Sequence, residues 1–234
     1  AETNVAAGVW PASSALAGAL CDGILPNLKG CQVLELGAGT GLTSAVAAQL
    51  GASVLATELP EGLELLQRNL SKNVIEDGDG SASARSLTWG THVPEELEHG
   101  FDAVIGADVS YVAEMLRPLV ASVLQFASEE ATLVFAHSNV HEVPADALSD
   151  LLGEFYKLDC SNIKSDNGTE VTAFVGCRRP GVQAAVQRFL EDWFATGRGD
   201  RVYTTHLDMV DDAWGGAKAL EPGEEGPLLP GQER

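Results

Sequence analysis

Val33-Leu34-Glu35-Leu36-Gly37-Ala38-Gly39-Thr40-Gly41 is an apolar run that carries one acid and passes straight into three alternating glycines. An Ala-rich stretch follows, with Leu42, Ala45, Val46, Ala48 and Leu50 at helical spacing. Strand, glycine turn and helix in that order open a nucleotide-type βα unit. Without Cβ atoms at Gly37, Gly39 and Gly41, backbone N–H groups can approach a ligand closely. The spacing departs from the dinucleotide pattern G-x-G-x-x-G, because position 42 is Leu and the third glycine already stands at 41.

Outward from this turn, apolar periodicity predicts an amphipathic helix from Ala12 to about Leu25 and strands at 32–36 and Ser53–Thr57. A helix opened by Pro60 carries Leu63, Leu66 and Leu70 on one side. Glu76–Ser83 reads as a surface loop before a short strand at Ala84–Leu87. A strand at Phe101–Ala107, a helix at Val112–Phe126, a strand at Ala131–Ala136 and a helix at Leu148–Phe155 follow. Two strands, Tyr156–Ile163 and Glu170–Arg178, are joined by a turn at Asp166-Asn167-Gly168. The expected fold is α/β: a doubly wound, mostly parallel, Rossmann-like sheet of seven strands with an antiparallel C-terminal edge hairpin. One domain over 1–180 is expected. A helix within 181–200 would cover the sheet edge, and the Gly/Pro/Glu-rich 201–234 reads as a flexible tail.

In an open parallel sheet, ligands lie beyond the carboxyl ends of the strands. Glu58 ends the second strand about twenty residues after the glycine turn, where a carboxylate can accept from ribose hydroxyls; the structural alternative is an acid favoured at a helix N-terminus. Trp89, in Leu87-Thr88-Trp89-Gly90, can lie against an adenine ring or simply pack in the core. Ala107-Asp108-Val109-Ser110-Tyr111 closes the fourth strand, with a small residue permitting close approach and an acid and a phenol able to face one space. Asp108 could equally cap the next helix.

The order Gly8-Val9-Trp10-Pro11-Ala12, the E-x-G-x-G-x-G run, Thr57-Glu58, Asn69, Leu87-Thr88-Trp89-Gly90 and Asp108-Val109-Ser110-Tyr111 resembles the family-16 seven-β-strand methyltransferases, mostly protein-lysine N-methyltransferases. The similarity covers about residues 8–178, and the D-x-x-Y turn together with L-x-W-G makes it narrow. By that resemblance the cofactor is S-adenosylmethionine, lined by Trp10, Gly37, Ala38, Gly39, Glu58, Trp89 and Ala107. Asp108 and Tyr111 would meet a substrate amine. A lysine in a protein partner is the expected acceptor; a small-molecule amine, or a binding module that kept the fold without activity, are the rivals.

Composition narrows the partners. With 14 Lys plus Arg against 34 Asp plus Glu, the formal charge is −20, which disfavours a nucleic-acid backbone and attracts a basic protein, or serves solubility alone. The turn at 108–111 also lacks the prolines of an N/D-P-P-Y/F base-flipping site. Apolar stretches are too short for a membrane span, and none at the start reads as a signal peptide. Cys21, Cys31, Cys160 and Cys177 stand far apart without metal-ligand spacing, so no metal is expected and reduced thiols in a cytoplasmic, monomeric protein are. His137 and His141 stand four apart but have no third ligand nearby.

Overall fold

The computed structural model describes residues 8–75, 78–93, 95–98 and 100–196. The expected tail at 201–234, the end of the expected helix beyond 196, and part of the expected 76–83 loop lie outside them.

The elements run α1 (Pro11–Cys21), β1 (Gln32–Leu36), α2 (Leu42–Gln49), β2 (Ser53–Glu58), α3 (Pro60–Asn73), β3 (Ser81–Ser86), β4 (Phe101–Ala107), α4 (Leu116–Phe126), β5 (Ala127–Ser138), α5 (Asp146–Leu152), β6 (Tyr156–Lys164), β7 (Glu170–Arg178) and α6 (Gln183–Ala195). Seven strands form one sheet in the order β3-β2-β1-β4-β5-β7-β6. The first five pair in parallel; β7 lies antiparallel between β5 and β6. Strand order reverses between β1 and β4, and such a reversal opens a crevice at the strands' carboxyl ends.

Alternation along the strands fills both faces. Val33 packs with α1 and α2, whereas Leu34 and Leu36 point to the layer of α4, α5 and α6. α3 joins α2 over β2 and β3, through Leu66, Leu70 and Ala56.

Several boundaries differ from expectation for local reasons. α1 ends at Cys21, because Gly23 at φ 68° turns the chain and the N–H groups of Gly23 and Ile24 bond back to Leu20 and Ala19. β3 starts at Ser81 within the predicted loop. Ser81-Ala-Ser-Ala-Arg-Ser has weak strand propensity, but β2 supplies a continuous parallel ladder from Ser53↔Ser81 to Glu58↔Ser86. α4 begins at Leu116 after a 3₁₀ turn at Ala113–Met115, since a proline at 118 is tolerated only in a first helical turn. Between β3 and β4 the described connection holds a 3₁₀ turn at Glu95–Leu97 rather than a helix. α6 packs on α4 instead of covering the sheet edge, with Val186 in the core and the Phe189 ring edge-on to Phe155. The outer strand, β6, is mostly exposed among the described residues.

Candidate active site

Glu35 explains why the acid precedes the glycines. Its buried carboxylate accepts from the hydroxyl of Ser44 and is held by Thr43 and the Ser44 backbone N–H, in the first turn of α2. It thereby satisfies donors that a helix N-terminus leaves free. Burial pushes its pKa from 4.5 up to about 7, against the lowering effect of those bonds.

The glycine turn follows with φ 69° at Gly37, 53° at Gly39 and 83° at Gly41. At Gly37 a Cβ would lie 2.8 Å from Val109 Cγ1 and 3.0 Å from Trp89 Cζ2, so the Trp89 ring edge sits over this glycine. The Glu58 carboxylate reaches across from β2: Oε2 accepts from Gly39 N–H at 2.7 Å and Oε1 from Leu59 N–H at 2.8 Å. Burial raises its pKa, while both backbone bonds oppose the rise. The helix-terminus reading of Glu58 is thus compatible with a second task, because each carboxylate oxygen retains a further lone pair for a hydroxyl donor. Gly37, Ala38, Gly39, Glu58 and Trp89 therefore converge on one crevice, with Ala107 half-buried at the end of the neighbouring β4. Asn69, from α3, donates to the Thr40 carbonyl and braces the turn.

Asp108 occupies a left-handed conformation, φ 54°, which is strained for a side chain larger than Gly. It does not cap α4. Oδ2 accepts from Ala12 N–H at 3.0 Å, in the first turn of α1, and Oδ1 accepts from Ser138 N–H at 2.8 Å and Ser138 Oγ–H at 2.7 Å. His141 Nε2 stands 3.1 Å from the same Oδ1. Being acceptor-only, the carboxylate takes the Nε2–H. The acid thus pins α1, the end of β5 and the following turn to one another.

Around it gather aromatic rings. Tyr111 lies 5.5 Å and Trp10 6.0 Å from the His141 ring, centroid to centroid. Trp10, expected at the cofactor, borders the Asp108 end of the crevice and is 41% exposed. Burial, then the Glu58 charge, raises the Tyr111 pKa, so the phenol keeps its proton and lies within electrostatic reach of the glycine-turn end. His137 is buried, with Nδ1 2.8 Å from Ser110 Oγ and a further bond to the Val143 backbone. Burial holds its pKa below the ordinary value. Among the described residues no group of three or more His, Cys, Asp or Glu could hold a metal.

The sequence pattern does not single out Ser138, and it weighs His141 with His137 only as a metal pair lacking a third ligand. They sit at the carboxyl end of β5 and in the turn after it. The rule that singled out Glu58 and Asp108, applied one strand further, points to both.

A family model described as lysine methyltransferase matches residues 1–151. The chain belongs to that family. Protein N-lysine methyltransferase METTL21A of Danio rerio is 34% identical over 152 residues, 65% of this chain and 69% of that protein. EEF1A lysine methyltransferase 3 of Xenopus tropicalis is 35% identical over 142 residues, 61% of each chain. Solved structures share the fold at lower identity. Magnesium protoporphyrin IX methyltransferase from Synechocystis PCC 6803 with bound SAM aligns at TM-score 0.53 and 18% identity, over 71% of this chain and 77% of that one. Geranyl diphosphate methyltransferase in complex with SAM aligns at 0.55 and 14%, over 71% and 85%. The family match ends before β6, so β6, β7 and α6 lie beyond it.

Proposed function

We propose that this lysine methyltransferase family member binds S-adenosylmethionine at the β1/β4 crevice and methylates the side-chain amine of a lysine in a protein partner. The observation that carries the reading is the Glu58–Gly39 hydrogen bond, which holds a carboxylate acceptor beside a glycine turn at the point where strand order reverses. The protein substrates named for METTL21A and EEF1A lysine methyltransferase relatives support the acceptor class.

The cofactor, when bound, supplies an electrophilic methyl group on a sulfonium. Gly37, Ala38 and Gly39 would offer backbone and room to its methionine part, Glu58 would accept from the ribose hydroxyls, and Trp89 and Ala107 would border the base. Trp10 and Tyr111 wall the acceptor side, and Asp108 holds that wall together. In-line displacement asks the protein chiefly for alignment, and for an amine freed of its proton. A lysine ammonium, with pKa about 10.4, is almost entirely protonated at neutral pH.

The charge of −20 supports a basic partner surface. Cys21, Cys31, Cys160 and Cys177 are all free, which supports a reducing, cytoplasmic setting. Incubation with labelled S-adenosylmethionine and a cell extract, followed by gel separation and mass mapping, tests the reading. A labelled protein band carrying methyl-lysine is expected; label confined to the small-molecule fraction would show that the acceptor is a small amine.

A further inference from the structure

Asp108 matches the position of a substrate-facing acid, yet its own carboxylate is turned inward. Its side chain is 2% exposed, against 14% for the bonded His141. Three backbone or hydroxyl donors besides His141 already occupy the acid. The histidine is the least buried of this charge's side-chain partners, ringed by Tyr111, Trp10 and His137. With Nε2–H donated to Asp108, the lone pair of the neutral ring is left on Nδ1. The nearby His137 differs, because both sides of its ring are engaged, by Ser110 and by the Val143 backbone.

We propose that His141 is the catalytic base that takes the proton from the target ammonium, with Asp108 as its orienting partner. This rests on the lysine-methylating reading of the crevice. The ammonium R–NH₃⁺ gives one proton to His141 Nδ1, and the lone pair left on nitrogen forms the new N–C bond as the methyl C–S bond breaks, its electron pair staying on sulfur. The imidazolium then passes its proton to water from the partly exposed ring. Asp108 stabilises that imidazolium at 3.1 Å. The titratable groups facing His141 are Asp108 and Tyr111, from the end of β4 and the turn after it, and His137 from β5. Held neutral by burial, His137 puts no charge against the incoming proton. Tyr111, also protonated, contributes a ring wall and a hydroxyl but no competing base.

His141→Gln tests this, because the amide N–H can still bond Asp108 while the side chain cannot accept a proton at neutral pH. Labelling of lysine in extract protein is measured from pH 6 to 10 for the full chain and the variant, with S-adenosylhomocysteine binding and melting temperature as controls. The variant is expected to lose about 100-fold in rate near pH 7, in the range general-base removal costs, and to recover roughly tenfold per pH unit as free amine accumulates. A rate equal to wild type, or a loss that pH does not rescue, overturns the proposal. If wild type labels no lysine at all, the functional reading fails and this proposal with it. A second measurement needs neither substrate nor variant: diethyl pyrocarbonate treatment of the unliganded wild type, mapped by mass spectrometry. His141 is expected to react several-fold faster than His137; equal or slower reaction overturns the assignment of a free ring nitrogen.

Discussion

Glu35 and Gly37, two residues apart in the opening strand and turn, hold the crevice in different ways. For Glu35 the pKa in the folded state is raised from 4.5 to about 7, so the folded protein binds that proton more tightly than the unfolded chain does. The stability so conferred is fully present below about pH 4.5 and is lost as pH rises to about 7. At about 1.4 kcal/mol per unit this is on the order of 3 kcal/mol. Glu35→Gln removes it, so the melting temperature of the variant relative to wild type should climb by several degrees between pH 5 and 8; thermal melts at both pH values check the sign, and a constant difference would refute it. Gly37→Ala fails for a steric reason. A Cβ 2.8 Å from Val109 and 3.0 Å from Trp89, at φ 69°, forces the turn or the indole to shift. Calorimetry with S-adenosylhomocysteine should show at least a tenfold loss of affinity, together with a lower melting temperature.

Among the elements, α6 is the one whose role follows from packing. Its buried Trp193 donates Nε1–H to the Gly90 carbonyl at 2.7 Å and occupies the space a Gly90 Cβ would need, at 2.7 Å from its Cζ2. Gly90 N–H is bonded in turn to Ser122 of α4 at 2.9 Å, and the Phe194 and His92 rings stack 3.8 Å apart. The segment that carries Trp89 over Gly37 is therefore held from behind by α4 and α6. Trp193→Phe keeps the apolar ring and leaves a buried carbonyl without its donor, a cost of about 1–3 kcal/mol. The expected outcome is a melting temperature lower by several degrees and a weakened affinity for S-adenosylhomocysteine; an unchanged affinity despite the lower melting temperature would uncouple α6 from the cofactor crevice.

For the whole molecule the governing quantity is charge. At −20, attraction to a basic partner acts over a Debye length of about 10 Å at 0.1 M salt and fades as salt rises. Protein labelling in extract should fall several-fold between 50 and 300 mM salt, whereas S-adenosylhomocysteine affinity should stay within about twofold. Equal salt sensitivity of the two would remove the electrostatic argument for a basic partner.

What the chain determined by itself is what short-range chemistry encodes: strand and helix periods, the glycine turn, and acids at strand ends. The β1-turn-α2 unit, the position of Glu58 at the end of β2 and the β6/β7 hairpin were legible because each follows from local sequence pattern. Local pattern misjudged β3, whose ladder comes from β2 rather than from its own serines and alanines. It was silent on the bonding partners of Asp108, His141 and Trp193. Those bonds join residues 96, 33 and 103 positions apart. Hydrogen bonds of that span exist only after the sheet has assembled and brought strand ends together, so tertiary structure alone decided that Asp108 faces inward, that His141 bonds it, and that α6 braces the segment carrying Trp89.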